Sequence, residues 1–197
     1  MIIAAKTYFR KIIIFLVQLV LISILKVILL PWIQRDMKHL ASEDHYLIAA
    51  NHRRMIDAFA ITAAIPYRVN LRLLPYALIT ANVFYDSWAK PLLWILGCYP
   101  ARNPRGNHSL YGVEASAHFL RQKYSVAIFP EGKRIRGNGR GAPYPGVTRI
   151  QQAAPEVPLA LCHIEFKKGW RPICIVMKTA DQRPLTPEKI MDEIYAL

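Results

Sequence analysis

The apolar positions are unevenly spread along the chain. Ile12 to Leu30 reads IIIFLVQLVLISILKVILL, a run apolar around most of a helix and interrupted near its end by Lys26. At 1.5 Å per residue, about 19 residues reach about 28 Å, nearly the thickness of a hydrocarbon core. Lys6, Arg10 and Lys11 precede the run, and Trp32, Gln34, Arg35 and Lys38 follow it. Lys26 sits where a long cationic side chain can snorkel to headgroups. Three fates fit: a single spanning helix, a helix embedded in one leaflet with Lys26, Arg35 and Lys38 on headgroup phosphates, or a cleaved signal peptide. The last lacks a clear small-x-small site after Leu30. A buried core helix fits poorly with a run so long and so apolar all round. Basic residues on both flanks leave the orientation open. Residues 1–34 are therefore read as a membrane-attachment segment, and 35–197 as one domain.

From about Arg35 onward, strand-like and helix-like segments alternate. Tyr46–Ala50 reads as a short apolar strand that ends in Asn51-His52. Met55–Ile65 has helical length and stops at Pro66. Leu71–Ile79 reads as a strand with Pro75 inside it, and Val83–Leu96 as a helix containing Pro91. Tyr111–Lys123 reads as a helix, Ser125–Phe129 as a strand stopped by Pro130, and Gly132–Gly146 as a glycine-rich loop. A short helix over Gly146–Ala154 follows. Val157–Phe166 and Pro172–Lys178 read as strands joined by a turn at Lys168-Gly169. Thr186-Pro187-Glu188 opens a last helix, with Thr as cap and Pro at the first helical position. The interleaving predicts an α/β domain.

Composition narrows the partner. Of 197 residues 53% are hydrophobic and 20% charged, which excludes a disordered chain and leaves enough apolar side chains for a core. Lys and Arg total 26 against 13 Asp and Glu, a formal net charge of +13. A basic and apolar chain suits a partner that is both anionic and greasy. Nucleic acid meets only the first condition, and a phospholipid surface meets both. No zinc module, helix-turn-helix signal or recognition aromatics support nucleic-acid binding. Cys98, Cys162 and Cys174 are odd in number and carry no paired spacing, so no disulfide framework follows and a reducing compartment is expected.

Two strands end in polar clusters: Asn51-His52-Arg53-Arg54-Met55-Ile56-Asp57, and Phe129-Pro130-Glu131-Gly132-Lys133-Arg134. If both strands run parallel in one sheet, their ends open on one edge, where ligands of open α/β sheets bind. Five residues apart, His52 and Asp57 are not helical neighbours. They can touch only if His52 lies in the turn before a helix and Asp57 in its first turns. A carboxylate on one ring nitrogen then fixes the tautomer and leaves the other nitrogen as a general base. Taken alone, the pair also reads as a surface histidine and a helix-start aspartate. In the second cluster, Lys133, Arg134, Arg136 and Arg140 are interspersed with glycines, which suits close approach to a phosphate. Alone, it reads equally as a solvated basic loop. His163 and Glu165 alternate on a strand, but no third metal ligand is evident.

Together the two clusters resemble the glycerolipid acyltransferases, the PlsC-like lysophosphatidic acid acyltransferase superfamily. Asn51-His52-x4-Asp57 matches the first block, and Phe129-Pro130-Glu131-Gly132-x-Arg134 the third. Leu96-Gly97-Cys98-Tyr99-Pro100-Ala101-Arg102 looks like the second block, and Val157-Pro158-Leu159 like the fourth, all in family order over about residues 35–180. The resemblance implies a mixed sheet flanked by helices, with an N-terminal membrane-attached helix. It implies His52 as general base and Asp57 as its orienting partner. Arg102, Glu131 and Arg134 would bind the acceptor's glycerol phosphate together with Asn51, Phe129, Pro130 and Lys133, and Gly132 would give close approach. The acyl donor would be acyl-CoA or acyl-carrier protein, with no metal or tightly bound cofactor. The acceptor would be a lysophospholipid, foremost 1-acyl-glycerol-3-phosphate, at a membrane surface on the cytoplasmic side. Another acceptor, or an inert lipid-binding homologue, is the alternative. Arg54 stands where the family usually has Ser, and Lys133 where it has Thr. Both add positive charge beside the expected pocket. A covalent route through Cys98 or Cys162 is disfavoured, because cysteines in apolar runs are usually inert.

Overall fold

The computed structural model describes residues 2–40, 42–80, 87–101, 110–135, 139–168, 172–181 and 185–197; side chains 2–8, 38 and 39 are excepted. Helix α1 (Ile2–Leu29) passes through a tight helical turn (Leu30–Trp32) into β1 (Ile33–His39). There follow β2 (Leu47–Ala50), α2 (Asp57–Ala64), α3 (Tyr67–Leu73), β3 (Tyr76–Thr80), α4 (Lys90–Ile95), β4 (Cys98–Pro100) and α5 (Tyr111–Arg121). The chain continues through β5 (Ser125–Ile128), α6 (Gly146–Ala153), β6 (Leu159–Phe166), β7 (Ile173–Thr179) and α7 (Pro187–Ala196). The strands form a 7-stranded sheet in the order β1-β7-β6-β2-β5-β3-β4. Among the described residues only β6 with β7 pairs antiparallel, so the sheet is mixed.

Successive side chains of a strand point to opposite faces, and β2 supplies both cores at once. Ile48 and Ala50 join Ala60, Ile61 and Ala64 of α2 on one face, together with Ile22 of α1. Leu47 and Ala49 join Leu120 of α5, Ile150 of α6 and Ile190 of α7 on the other. The result is a sheet between two helical layers.

Two strands lay hidden in the sequence, and one expected strand divides. β1 carries Arg35, Asp36 and Lys38 at the edge of the sheet. Charge on an edge blunts further pairing and hides the apolar alternation. It also means that the sheet begins at Ile33, ahead of residue 35. β4 is only three residues long. The expected strand over Leu71–Ile79 is a helix end followed by a strand. A residue before proline is pushed out of helical conformation, and Leu74 accordingly ends α3 with ψ 144. Of the helix expected over Val83–Leu96, residues 83–86 lie outside the described residues, and Lys90–Ile95 is helical.

Helix α1 is docked, not free-standing. Ile14, Gln18 and Ile22, four residues apart, are buried against the domain. The Gln18 amide pairs with the start of β3: Oε1 accepts from Tyr76 N–H at 2.7 Å, and Nε2 donates to Tyr76 O at 2.8 Å and to Leu96 O at 2.9 Å. Gly97 permits this approach. Its φ is +81°, and a Cβ there would lie 2.4 Å from Tyr76 O and 2.9 Å from Gln18 Nε2. Lys11 Nζ donates to Gln122 O at 2.5 Å. Lys26 and Arg35 do not reach out to headgroups as expected. Lys26 Nζ donates to Ala63 O and Ile65 O, and Arg35 to Ala64 O. The last carbonyls of α2 lack partners within the helix and form the negative end of its dipole, so two cations settle there. The opposite stripe, Phe9, Ile12, Leu16, Val20, Ile24 and Ile28, is exposed. The run is apolar all round because one side meets protein and the other faces outward. By length and composition, Phe9–Trp32 could cross a membrane.

Candidate active site

The two polar clusters meet. β2 and β5 are adjacent and parallel, with Leu47 opposite Val126 and Ala49 opposite Ile128. Their C-terminal ends deliver His52 and Glu131 to the same edge. His52 lies in the turn after β2, and Asp57 is the first residue of α2.

His52 Nδ1 donates to Asp57 Oδ2 at 2.9 Å, with His52 19% exposed and Asp57 fully buried. The same oxygen accepts the backbone N–H of Arg53 at 2.6 Å and of Arg54 at 2.8 Å. Three donors thus converge on Oδ2 at the positive end of α2. With the carboxylate accepting, Nδ1 carries the proton and Nε2 is free to accept one. Asp57 Oδ1 is buried without a hydrogen-bond partner among the described residues. The Arg53 and Arg54 amides are committed to Asp57 and are therefore not donors for an oxyanion.

The backbone of His52 is held from the facing loop. Its N–H donates to Glu131 Oε2 at 2.8 Å, and its carbonyl accepts from Ile135 N–H at 2.8 Å. The ring stacks on Phe129, with centroids 4.2 Å apart and an interplanar angle of 18°. The backbone of His52 is thus held by Glu131 and Ile135, and its ring by Asp57 and Phe129.

Asn51 and Glu131 are fully buried and bonded inside the protein. The Asn51 amide continues the β2–β6 ladder past Ala50. It donates to Ile164 O at 2.8 Å and accepts from Ile164 N–H at 2.7 Å. Glu131 Oε1 accepts from Gly141 N–H at 3.0 Å and from the Tyr195 hydroxyl at 2.9 Å. Pro130 is buried, and its carbonyl accepts from Tyr144 N–H at 2.8 Å. Gly132 has φ +62°, and a Cβ there would lie 2.9 Å from the Tyr144 ring, so both conformation and space require glycine. Lys133 and Arg134 are exposed on the loop that follows. Arg54 lies 4.1 Å above the Phe166 ring. Arg102 and Arg136 lie outside the described residues.

His163 and Glu165 face other duties. His163 Nδ1 donates to Ile194 O at 2.9 Å, and Glu165 pairs with Lys167 at 2.9 Å. The cysteines are free thiols, and Cys98 and Cys162 are buried. Burial, with the Asp57 charge adding to it, pushes the Cys162 thiol well up, and burial raises Cys98. Neither is activated as a nucleophile. Tyr195 gave no signal in the sequence, because its contact with Glu131 spans 64 residues.

A histidine oriented by a buried aspartate at the open edge of an α/β sheet is an arrangement suited to general-base catalysis. The family model for Acyltransferase matches residues 33–180, and the chain belongs to that family. Among solved structures the chain is similar to the crystal structure of the 1-acyl-sn-glycerophosphate (LPA) acyltransferase PlsC from Thermotoga maritima. The TM-score is 0.61 at 13% identity, covering 98% of this chain and 78% of that one. At that identity the likeness speaks for the fold. No curated protein matches.

Proposed function

We propose that the protein transfers a fatty acyl group from acyl-CoA or acyl-carrier protein to the hydroxyl of a lysophospholipid, with 1-acyl-glycerol-3-phosphate as the acceptor. The observation that carries this reading is the 2.9 Å contact between His52 Nδ1 and buried Asp57 Oδ2, which leaves Nε2 as the base. Nε2 takes the acceptor's hydroxyl proton as the oxygen attacks the thioester carbonyl. The tetrahedral intermediate collapses with cleavage of the C–S bond. The departing thiolate takes the proton back from the imidazolium, giving an ester and a free thiol. No bond to the enzyme forms.

Lys133 and Arg134, exposed on the loop beside His52, bind the acceptor phosphate, while Asn51, Phe129 and Glu131 position the base. The outward stripe of α1 rests in the lipid surface on the cytoplasmic side, with the opposite stripe held on the domain. An acceptor and product that are both lipids then need not pass through water. The test is transfer of labelled acyl groups to lysophosphatidate, with thiol release followed in parallel. His52→Ala should lower kcat by about a thousandfold while the chain still folds. Wild-type-like activity of that variant would sink the reading. Arg134→Ala should raise the acceptor KM with little change in kcat, and an unchanged KM would remove the phosphate assignment.

A further inference from the structure

We propose that Tyr195, on α7, is a positioning residue for this reaction, fixing the backbone of His52 through Glu131. The inference rests on the acyl-transfer reading of His52 and Asp57. The Tyr195 hydroxyl donates to Glu131 Oε1 at 2.9 Å, and the other oxygen of that carboxylate accepts the His52 N–H at 2.8 Å. Glu131 is fully buried, and among the described residues its carboxylate accepts from the Tyr195 hydroxyl, His52 N–H and Gly141 N–H.

The ring is held independently of its hydroxyl. The guanidinium carbon of Arg140 lies 4.6 Å from the ring centroid and that of Arg53 lies 5.3 Å from it. Arg53 follows His52 in the chain and donates to Gly139 O at 2.8 Å. Arg140 pairs with Asp192 of α7 at 3.1 Å. His163 bonds Ile194 O and meets the Tyr195 ring edge-on, with centroids 5.4 Å apart. The His52 turn, the 139–141 loop and α7 therefore converge on one phenol. Burial, with the hydrogen bond and charge of Glu131 adding to it, pushes this phenol up to about 12. It keeps its proton near neutrality and stays a donor.

Phenylalanine at this position keeps the ring and both cation contacts and removes the hydroxyl, with its bond to Glu131, its 3.5 Å contact with Gly139 O and its interaction with Asn51. The carboxylate then loses a fixed orientation, and the His52 backbone moves with it. Tyr195→Phe should lower kcat by about tenfold, with the KM of each substrate within about twofold of wild type. The experiment compares steady-state kinetics of full-length Tyr195→Phe, Glu131→Gln and the double variant, with lysophosphatidate and acyl-CoA in detergent. If the tyrosine acts through the carboxylate, the double variant should be no slower than Glu131→Gln alone. An unchanged kcat in Tyr195→Phe, or losses that simply multiply in the double variant, would overturn the proposal. So would a loss that restoring the folded fraction, followed by unfolding midpoint, abolishes. His52→Ala separates the two levels. If it is inactive while Tyr195→Phe is normal, only the tyrosine's role falls. If it is active, the acyl-transfer reading falls whatever Tyr195 does.

Discussion

Gln18 and Asn51 do the same thing in two different places. Each is a buried side-chain amide that imitates a peptide group, giving one N–H and one C=O to a strand. Gln18 pairs with Tyr76 at the start of β3, and Asn51 with Ile164 inside β6. What each secures differs. Gln18 holds a helix whose far side is apolar and exposed, and Asn51 holds the turn that presents His52. One amide fixes a surface and the other fixes the turn that carries His52. A shared pairing with one strand residue therefore says nothing about function until the neighbouring residues are known.

Four measurements bear on this contrast. The largest effect belongs to the base itself: His52→Ala should cost about a thousandfold in kcat without a fall in the unfolding midpoint. On the other side of the contrast, Leu16→Lys with Val20→Lys places two cations on the outward stripe of α1. Each lost apolar side chain is worth about 1.5–3 kcal/mol of burial. Partition onto phospholipid vesicles, measured by co-sedimentation, should fall by about a hundredfold or more. Transfer to a detergent-dispersed acceptor should be retained. Asn51→Ala should lower kcat by about tenfold and also lower stability, because both Ile164 backbone groups lose their partner at about 1–3 kcal/mol each. Gln18→Leu should be the mildest for catalysis. Thermal unfolding should report a loss of about 1–3 kcal/mol for each backbone group left unpaired at Tyr76 and Leu96, with kcat per folded molecule unchanged. If Gln18→Leu lowered kcat as much as Asn51→Ala, the separation of surface from base would fail.

The strand–turn–helix around His52 was legible because every step is local. β2 ends where its apolar run ends, and Asp57 opens α2 five residues after His52. Parallel pairing of β2 and β5 then put Glu131 at the same edge, as expected from two apolar strands with polar ends. What the residue types could not convey was which way the polar groups turn. Asn51 and Glu131 bond to Ile164, His52, Gly141 and Tyr195, contacts set by long-range folding. Lys26 and Arg35 were read for the membrane and serve the last carbonyls of α2. Their charge was visible, and the nearby helix end was not. β1 was missed because an edge strand with Arg35, Asp36 and Lys38 lacks the alternation that marks a half-buried strand.

The docking of α1 has a mechanical consequence. Gln18 joins the helix to β3 near one rim of the sheet, and the helix itself continues into β1 at the opposite rim. A beam fastened at both rims cannot tilt without taking the sheet along. Under the proposed seating of the outward stripe among acyl chains, the altitude and heading of the imidazole above the bilayer become constants of the architecture, and the proposed acceptor hydroxyl is met only at that depth.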